Sequence, residues 1–144
     1  MPEEEIRWHY RFRNFSRAFG RLQHALQEGS EALNELEQEG VIQRFEYTFE
    51  LAGNTLKDYL EYDGVVPNPA TPRAVLRKAY QAKLISDGER WIDMLTDRNR
   101  MSHMYDSETF EAIIKEIEDR YLDRFHELHR RLSREIAEQE VGES

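Results

Sequence analysis

The 144-residue sequence contains no cysteine, so neither disulfides nor thiolate metal ligands can contribute to its structure. This absence agrees with a reducing cytosol. No apolar run approaches the roughly 18 residues of a membrane span, and the three glutamates at positions 3–5 are not followed by the apolar run of a signal peptide. We therefore expect a cytoplasmic protein with no signal peptide and no membrane association.

The sequence also lacks the glycine-rich phosphate loops of Walker and dinucleotide-binding proteins. Gly29-Ser30 is not followed by the Asp-x-Asp pair that a nucleotidyltransferase uses for Mg²⁺, so the chain is not expected to be such a transferase itself. His126 and His129 lie three positions apart, but no third histidine or Glu-x-x-His partner accompanies them. A solvated helix face is the favoured interpretation, and we expect no metal site and no cofactor.

Negative charge exceeds positive charge, and the positive charge is unevenly placed. The net charge is −9 overall and −6 in each of residues 1–69 and 106–144, whereas residues 70–105 carry a net charge of +3. A phosphate chain would be repelled least by this central third. The candidate RNA-binding cations there are Arg73, Arg77, Lys78 and Arg100. The alternative is that acidic helices simply flank an average segment.

Apolar residues recur at spacings of three and four throughout, which predicts amphipathic helices and no strands. The first predicted helix covers residues 5–28 and ends at Gly29. A short lead-in helix and a long helix follow over residues 32–61, interrupted by Gly40 and Gly53. Gly53-Asn54 inside a helix costs about 1 kcal/mol relative to alanine, which indicates either a close approach to that backbone or a bend.

Residues 62–71 form the only proline-rich stretch and are predicted to be a loop. Thr71 followed by Pro72 predicts the start of a short helix. Ser86 with Glu89 has the form of a capping box and predicts a helix that continues to about Ser102. Asp106 or Ser107 can cap a last helix extending to about residue 138, whose distal half is long enough to pack against another chain. We expect one all-α domain over residues 1–144, an up-and-down bundle of four to five helices.

Residues 97–106 concentrate chemical groups at the predicted end of one helix. The stretch includes Arg98, Asn99, Ser102, His103 and Tyr105. An imidazole can take a proton from a ribose 2′-hydroxyl or give one to a leaving oxygen, while a guanidinium holds phosphate, and no metal is needed. Five residues correspond to 140° around a helix, so Arg98 and His103 share a site only if the helix ends or a second copy contributes. The alternative is that His103 merely favours a helix C-terminus.

Several ordered blocks resemble one family, the nucleotidyltransferase substrate-binding group of the HEPN superfamily. The blocks are residues 44–52, 55–60, 71–73, 91–95, 97–99 and 103–106, and the resemblance extends over about residues 6–121. The Arg-x-x-x-x-His-x-Tyr core of the family corresponds here to Arg98, His103 and Tyr105. Relatives usually carry a large aromatic residue and a lysine where this chain has Gly53-Asn54, and this difference concerns local packing or partner contact.

The resemblance implies a homodimeric, metal-independent ribonuclease toxin that is neutralised by a cognate minimal nucleotidyltransferase, its antitoxin. Arg98 and His103 of both copies would face one cleft, and the antitoxin would attach AMP to Tyr105. From their own chemistry, Asn99 can orient the backbone or substrate, and Ser102 is expected to be a further supporting residue. An older interpretation of the family gives the alternative of a non-catalytic subunit that presents a nucleotide or other substrate to a separate transferase. A third hypothesis is a helical dimerisation scaffold.

Overall fold

The structure is a computed structural model that describes residues 6–101, 103 and 106–142. It contains six helical segments: α1 (Arg7–Ala25), α2 (Glu35–Tyr62), α3 (Pro72–Gln81), α4 (Gly88–Met101), α5 (Ser107–Glu116) and α6 (Leu122–Gly142). A π-helical turn, Ile117–Tyr121, joins α5 to α6 without a break, so the bundle has five rods. No strand occurs in these ranges. The predicted all-α bundle of four to five helices is confirmed.

Helix α1 forms because its large apolar residues fall on one stripe. Trp8, Phe12, Phe15 and Phe19 are all buried, as their spacing of three or four residues requires. After the helix ends, Gly29 adopts a φ of +87°, a left-handed conformation that favours glycine. The predicted stop at Gly29 is therefore confirmed, with the last three residues before it in turns rather than in the helix.

Helix α2 begins at a capping box and runs without interruption for 28 residues. The side chain of Asn34 accepts a hydrogen bond from the backbone N–H of Glu37, whose carboxylate accepts one from the N–H of Asn34. The expected lead-in helix is only a 3₁₀ turn, Ser30–Ala32, and Gly40 lies inside α2. A Cβ atom built at Gly53 meets nothing within 4 Å, so the expected close approach to that backbone is absent within the part of the chain described.

Thr71 caps α3 as predicted, since its hydroxyl accepts a hydrogen bond from the N–H of Ala74 at 3.2 Å. The capping box predicted at Ser86 and Glu89 is wrong. Asp87 occupies the cap instead, and its carboxylate accepts from the N–H of Arg90 at 3.4 Å. The hydroxyl of Ser86 donates to the carboxylate of Glu127 at 2.6 Å. The Ser86 hydroxyl, which the local sequence predicts to cap α4, is therefore hydrogen-bonded to a residue of α6 instead.

Asp106 caps α5, accepting from the N–H of Glu108 at 3.1 Å. Part of the distal half of the last rod packs within its own chain, and the expectation that this half packs against another chain stays a prediction. The ring of Phe12 lies 5.1 Å from that of His129, and the side chains of His9 and Gln139 are hydrogen-bonded at 2.9 Å. Near the other end of α1, Ser30 donates from its N–H to Glu118 at 2.7 Å. Helix α1 is therefore antiparallel to the α5–α6 rod.

The core is centred on aromatic rings from four rods. Phe125 of α6 contacts the rings of Phe15, Phe45 and Trp91 at centroid distances of 5.7–6.2 Å. Burying rings of this size against one another supplies much of the hydrophobic stabilisation of such a bundle. Successive long rods alternate in direction, and α3 lies in the connection between α2 and α4. None of the helices described has the length and apolar content needed to cross a bilayer.

Candidate active site at the end of helix α4

The last turns of α4 are fixed by Asp97. Tyr121, in the π-helical turn, donates its hydroxyl to the Asp97 carboxylate at 2.5 Å, and Arg100 lies 3.7 Å from the same carboxylate. Burial, together with this hydrogen bond, raises the pKa of Tyr121 well above its usual range, so the phenol remains a donor. The first residue of the 97–106 stretch is therefore an anchor that sets the position of the residues after it.

Arg98 follows Asp97 by about 100° around the helix and faces α2. There it is close enough to Glu46 for their charges to interact: burial raises the pKa of Glu46, and the positive charge of Arg98 partly offsets that rise. Glu46 was not predicted as a site residue from the sequence. The only available signal was its spacing with Glu50, Gly53 and Lys57, which lie on one face of α2 at helical intervals.

Arg98 also lines a pocket of about 110 Å³ between α2, the start of α3 and the end of α4. Its inner wall is apolar and buried, formed by Phe49, Val75 and Leu76. The other lining residues are Glu50, Gly53, Asn54, Lys57, Ala70 and Pro72. A guanidinium beside an apolar wall is held where water screens its charge less than at an open surface. The arrangement suits a ligand with one anionic and one apolar part.

Asn99, Arg100 and His103 are exposed around the helix end. Helix α4 ends at Met101, and the backbone N–H of His103 donates to the carbonyl of Arg100 at 3.0 Å, so the chain turns once more before leaving the helix. Helix α4 therefore ends between Arg98 and His103, and their approach to one site stays a prediction. Ser102 and Tyr105 lie outside the residues that the structure describes.

The structure brings only part of the predicted cation set to this end of the molecule. Arg73, Arg77 and Lys78 are exposed on the outer face of α3, while Val75 and Leu76 on its inner face form the wall of the Arg98 pocket. Arg73 directly follows Pro72, which lines that pocket. The α3 cations thus flank the pocket without entering it.

Histidines of α6 have a packing role. His129 lies among the rings of Phe12, Phe15 and Phe19, at centroid distances of 5.1–6.5 Å. Burial, with a smaller effect from His126, lowers the pKa of His129. Within the ranges described, no cluster of three or more histidine, aspartate or glutamate side chains could hold a metal ion.

A second, larger cavity lies elsewhere, between residues 80–87 and α6. It is an open groove of about 1190 Å³ whose cations are Lys83, Arg130, Arg131 and Arg134. Asp87 and Glu127 also line it, and both lie within 4 Å of Arg124. Since α4 spans roughly 20 Å, this groove and the Arg98 pocket lie near opposite ends of that helix.

The fold and the site define a helical-bundle protein that presents an arginine beside a small pocket and a histidine at the end of one helix. A model of the family described as nucleotidyltransferase substrate binding protein like matches residues 10–134. The chain therefore belongs to the nucleotidyltransferase substrate binding protein like family, and the predicted HEPN resemblance is confirmed.

Two relatives are similar over different shares of the chain. A Haemophilus influenzae protein named probable ribonuclease HepT is 32% identical over 83 residues, which cover 56% of this chain and 57% of that protein. A Thermus thermophilus protein of known crystal structure has a TM-score of 0.73 and 30% identity, covering 82% of this chain and 98% of that one. The ribonuclease-named relative is thus matched over little more than half of its length.

Proposed function

We propose that this chain is a HEPN-type toxin, a metal-independent endoribonuclease that acts in the cytoplasm and is neutralised by a cognate minimal nucleotidyltransferase. The observation that carries the proposal is the placement of Arg98. This residue of α4 is partly enclosed against α2 and α3, and it lies five positions before the exposed His103 in the sequence. The family of the chain and the name of its Haemophilus relative support the same activity.

The two side chains supply the groups that RNA transesterification requires. His103 takes the proton of a ribose 2′-hydroxyl, and the 2′-oxygen attacks the adjacent phosphorus. The bond from phosphorus to the 5′-oxygen breaks, and that oxygen takes a proton from an acid. Arg98 holds the phosphate and stabilises its developing charge. The products are a 2′,3′-cyclic phosphate and a 5′-hydroxyl, so atoms and charge balance without an added nucleophile.

A homodimer provides the second proton-transfer group. With two copies facing one cleft, one His103 acts as the base and the other, protonated, acts as the acid. Asn99 and Ser102 support the helix end, and Arg73, Arg77, Lys78 and Arg100 guide the RNA backbone by charge. Arg73 and Arg100 lie near the Arg98 end, and Arg77 and Lys78 extend the positive charge along the exposed face of α3.

Tyr105 is the position at which the partner transferase attaches AMP. An added adenylate two residues after His103 would bring negative charge and bulk to the site and exclude RNA. Mass spectrometry of the chain after co-expression with the transferase encoded beside it should show one AMP on the peptide containing Tyr105. An unmodified peptide would remove this part of the proposal.

The proposal is tested by incubating purified chain with RNA in EDTA. The wild type should cleave, and His103→Ala should be slower by about 10²–10⁴-fold, the usual contribution of general acid–base catalysis. His24→Ala is the matched control, because His24 is also exposed near a helix end but lies on α1. Equal cleavage by the wild type and His103→Ala would remove His103 from the mechanism.

One observation favours a second candidate, a non-catalytic subunit that presents a nucleotide to a separate transferase. The pocket beside Arg98 combines an apolar wall with a cation, as a nucleotide site does, and the family description speaks of substrate binding. This candidate predicts a stable complex with the transferase and no RNA cleavage. Growth arrest on expression of the chain alone would contradict it.

A further inference from the structure

Gly53 opens the pocket beside Arg98. It lies in the interior of α2, where glycine weakens a helix relative to alanine. A Cβ atom at this position would meet nothing within 4 Å, so packing against the rest of the described chain does not require glycine here. Gly53 does line the pocket, and a larger side chain there would project into it. The missing side chain is therefore what keeps this space available.

The lining of the pocket is amphipathic. Phe49, Val75 and Leu76 are each at most 4% exposed and form an apolar wall. The polar lining consists of Asn54, whose amide offers both donors and an acceptor, the cations Arg98 and Lys57, and the exposed carboxylate of Glu50. A phosphate alone would gain nothing from the apolar wall, and an alkyl group would leave the amide unused. A planar heterocycle attached to a phosphate uses both.

We propose that this pocket binds a pyrimidine base of the RNA whose phosphate is held by Arg98, so that Gly53 and Asn54 determine where the chain cuts. The inference rests on the proposed ribonuclease function. The volume of about 110 Å³ favours the smaller bases. The single six-membered ring of a pyrimidine needs less of this space than the fused rings of a purine.

The first experiment measures cleavage positions. A random-sequence RNA is cut in EDTA and the new ends are sequenced. The wild type should cut next to pyrimidines more often than next to purines by on the order of tenfold, the discrimination that a small difference in fit to an apolar pocket gives. Gly53→Leu fills the pocket and should reduce that preference to within about twofold. Gly40→Leu is the control. Gly40 is the other glycine of α2 and does not line the Arg98 pocket or the groove, so this variant should retain the preference.

Asn54→Ala provides a second variant that favours helix and leaves the apolar wall in place. It should weaken the pyrimidine preference while overall helicity by circular dichroism stays at the wild-type level. An unchanged preference in a folded Gly53→Leu or Asn54→Ala chain, or a wild type that cuts without regard to the base, would overturn the pocket assignment and leave the ribonuclease proposal standing.

A nucleotide-binding experiment tests the pocket assignment independently of the ribonuclease proposal. Cytidine and adenosine 3′-monophosphate are titrated into the full-length His103→Ala chain and into the same chain with Gly53→Leu added. Tighter binding of the cytidine nucleotide, lost with Gly53→Leu, supports the pocket even if the wild type cuts no RNA. Equal binding of both nucleotides, or binding unaffected by Gly53→Leu, contradicts it whether or not RNA is cut.

Discussion

Two cavities near opposite ends of α4 both carry arginines, and they differ in enclosure. The pocket beside Arg98 is about 110 Å³, whereas the groove along α6 is about 1190 Å³, and both have buried apolar residues in their lining. The groove arginines Arg130 and Arg134 are exposed, and the half-buried Arg131 is paired with Glu135. An exposed cation attracts anions weakly because water and salt screen it, while a partly enclosed one is screened less. The number of positive charges is therefore a poorer guide to the site than their surroundings.

The two ends also differ in how the backbone is fixed. At the Arg98 end, the hydrogen bond between Asp97 and Tyr121 ties α4 to the π-helical turn. At the groove end, Lys83 and Asp87 adopt left-handed conformations, with φ of 62° and 53°. Such conformations in residues other than glycine cost about 1 kcal/mol or more each. The groove end is tied to α6 as well, by the hydrogen bond from Ser86 to Glu127 and the ion pair of Asp87 with Arg124, so its left-handed residues are what set it apart.

The largest expected effect is on RNA cleavage, which should depend on the arginine of the pocket and not on an arginine of the groove. Arg98→Ala should lower RNA cleavage by about 10²–10³-fold, because it removes the donor that stabilises charge at the phosphate. Arg134→Ala should lower it by less than about fivefold, since an exposed charge contributes about 1 kcal/mol or less. Rates are measured under single-turnover conditions in EDTA. Equal losses in both variants would place the groove in the active site and break the comparison.

The next effect concerns the anchor. Tyr121→Phe leaves the partly buried Asp97 carboxylate without its donor and should lower the free energy of unfolding by roughly 1–3 kcal/mol, measured by urea denaturation. Tyr10→Phe is the control, because the Tyr10 side chain is about half exposed and its loss of a hydroxyl should change stability little. Cleavage by Tyr121→Phe should also fall. Unchanged stability would show that Asp97 needs no anchor.

Two glycine-to-alanine substitutions should change stability by smaller and unequal amounts. Gly53→Ala should raise the free energy of unfolding by about 1 kcal/mol, since its Cβ has open space in a helix interior. At Gly88 the same substitution places a Cβ 3.1 Å from the ring of Tyr80, beside the groove. That ring must shift, so Gly88→Ala should raise the free energy of unfolding by less than Gly53→Ala does. Thermal denaturation of the two variants ranks them, and the reverse order would contradict the geometry.

The smallest effect is on pH dependence. Because burial lowers the pKa of His129 below the ordinary 6.5, the unfolded chain takes up this proton more readily than the folded one. The stability that neutral His129 contributes is therefore present above pH 6.5 and lost as the pH falls. His129→Gln should show a smaller drop in urea midpoint than the wild type when the pH is lowered from about 7.5 to about 5.5. His24→Gln, altering an exposed histidine, should show the wild-type drop.

Local patterns predicted most of the helices because caps and apolar spacing act within a few residues. Thr71, Pro72 and Asp106 define helix starts, and the stripe of α1 is buried as its period requires. The capping box at Ser86 failed for the opposite reason, since Glu127 lies 41 positions away. The sequence contains no sign of which residue will compete for a hydroxyl at that distance.

The site was predictable only in part for the same reason. The grouping of Arg98 with His103 follows from the sequence, and the helix end between them is where the spacing requires it. Glu46 and the pocket wall come from α2 and α3, and the hydrogen bond from Tyr121 to Asp97 joins the π-helical turn to α4. These features depend on contacts between residues of different helices, and local sequence patterns do not predict such contacts.

The chemistry of the cut RNA ends tests the central claim most directly. Purified wild-type chain is incubated with a short RNA in EDTA, and the fragments are weighed by mass spectrometry. Catalysis by Arg98 and His103 without a metal predicts 2′,3′-cyclic phosphate and 5′-hydroxyl ends, formed about 10²–10⁴-fold more slowly by His103→Ala. Fragments bearing 3′-hydroxyl and 5′-phosphate ends, or the same fragments formed by His103→Ala at the wild-type rate, would contradict the account.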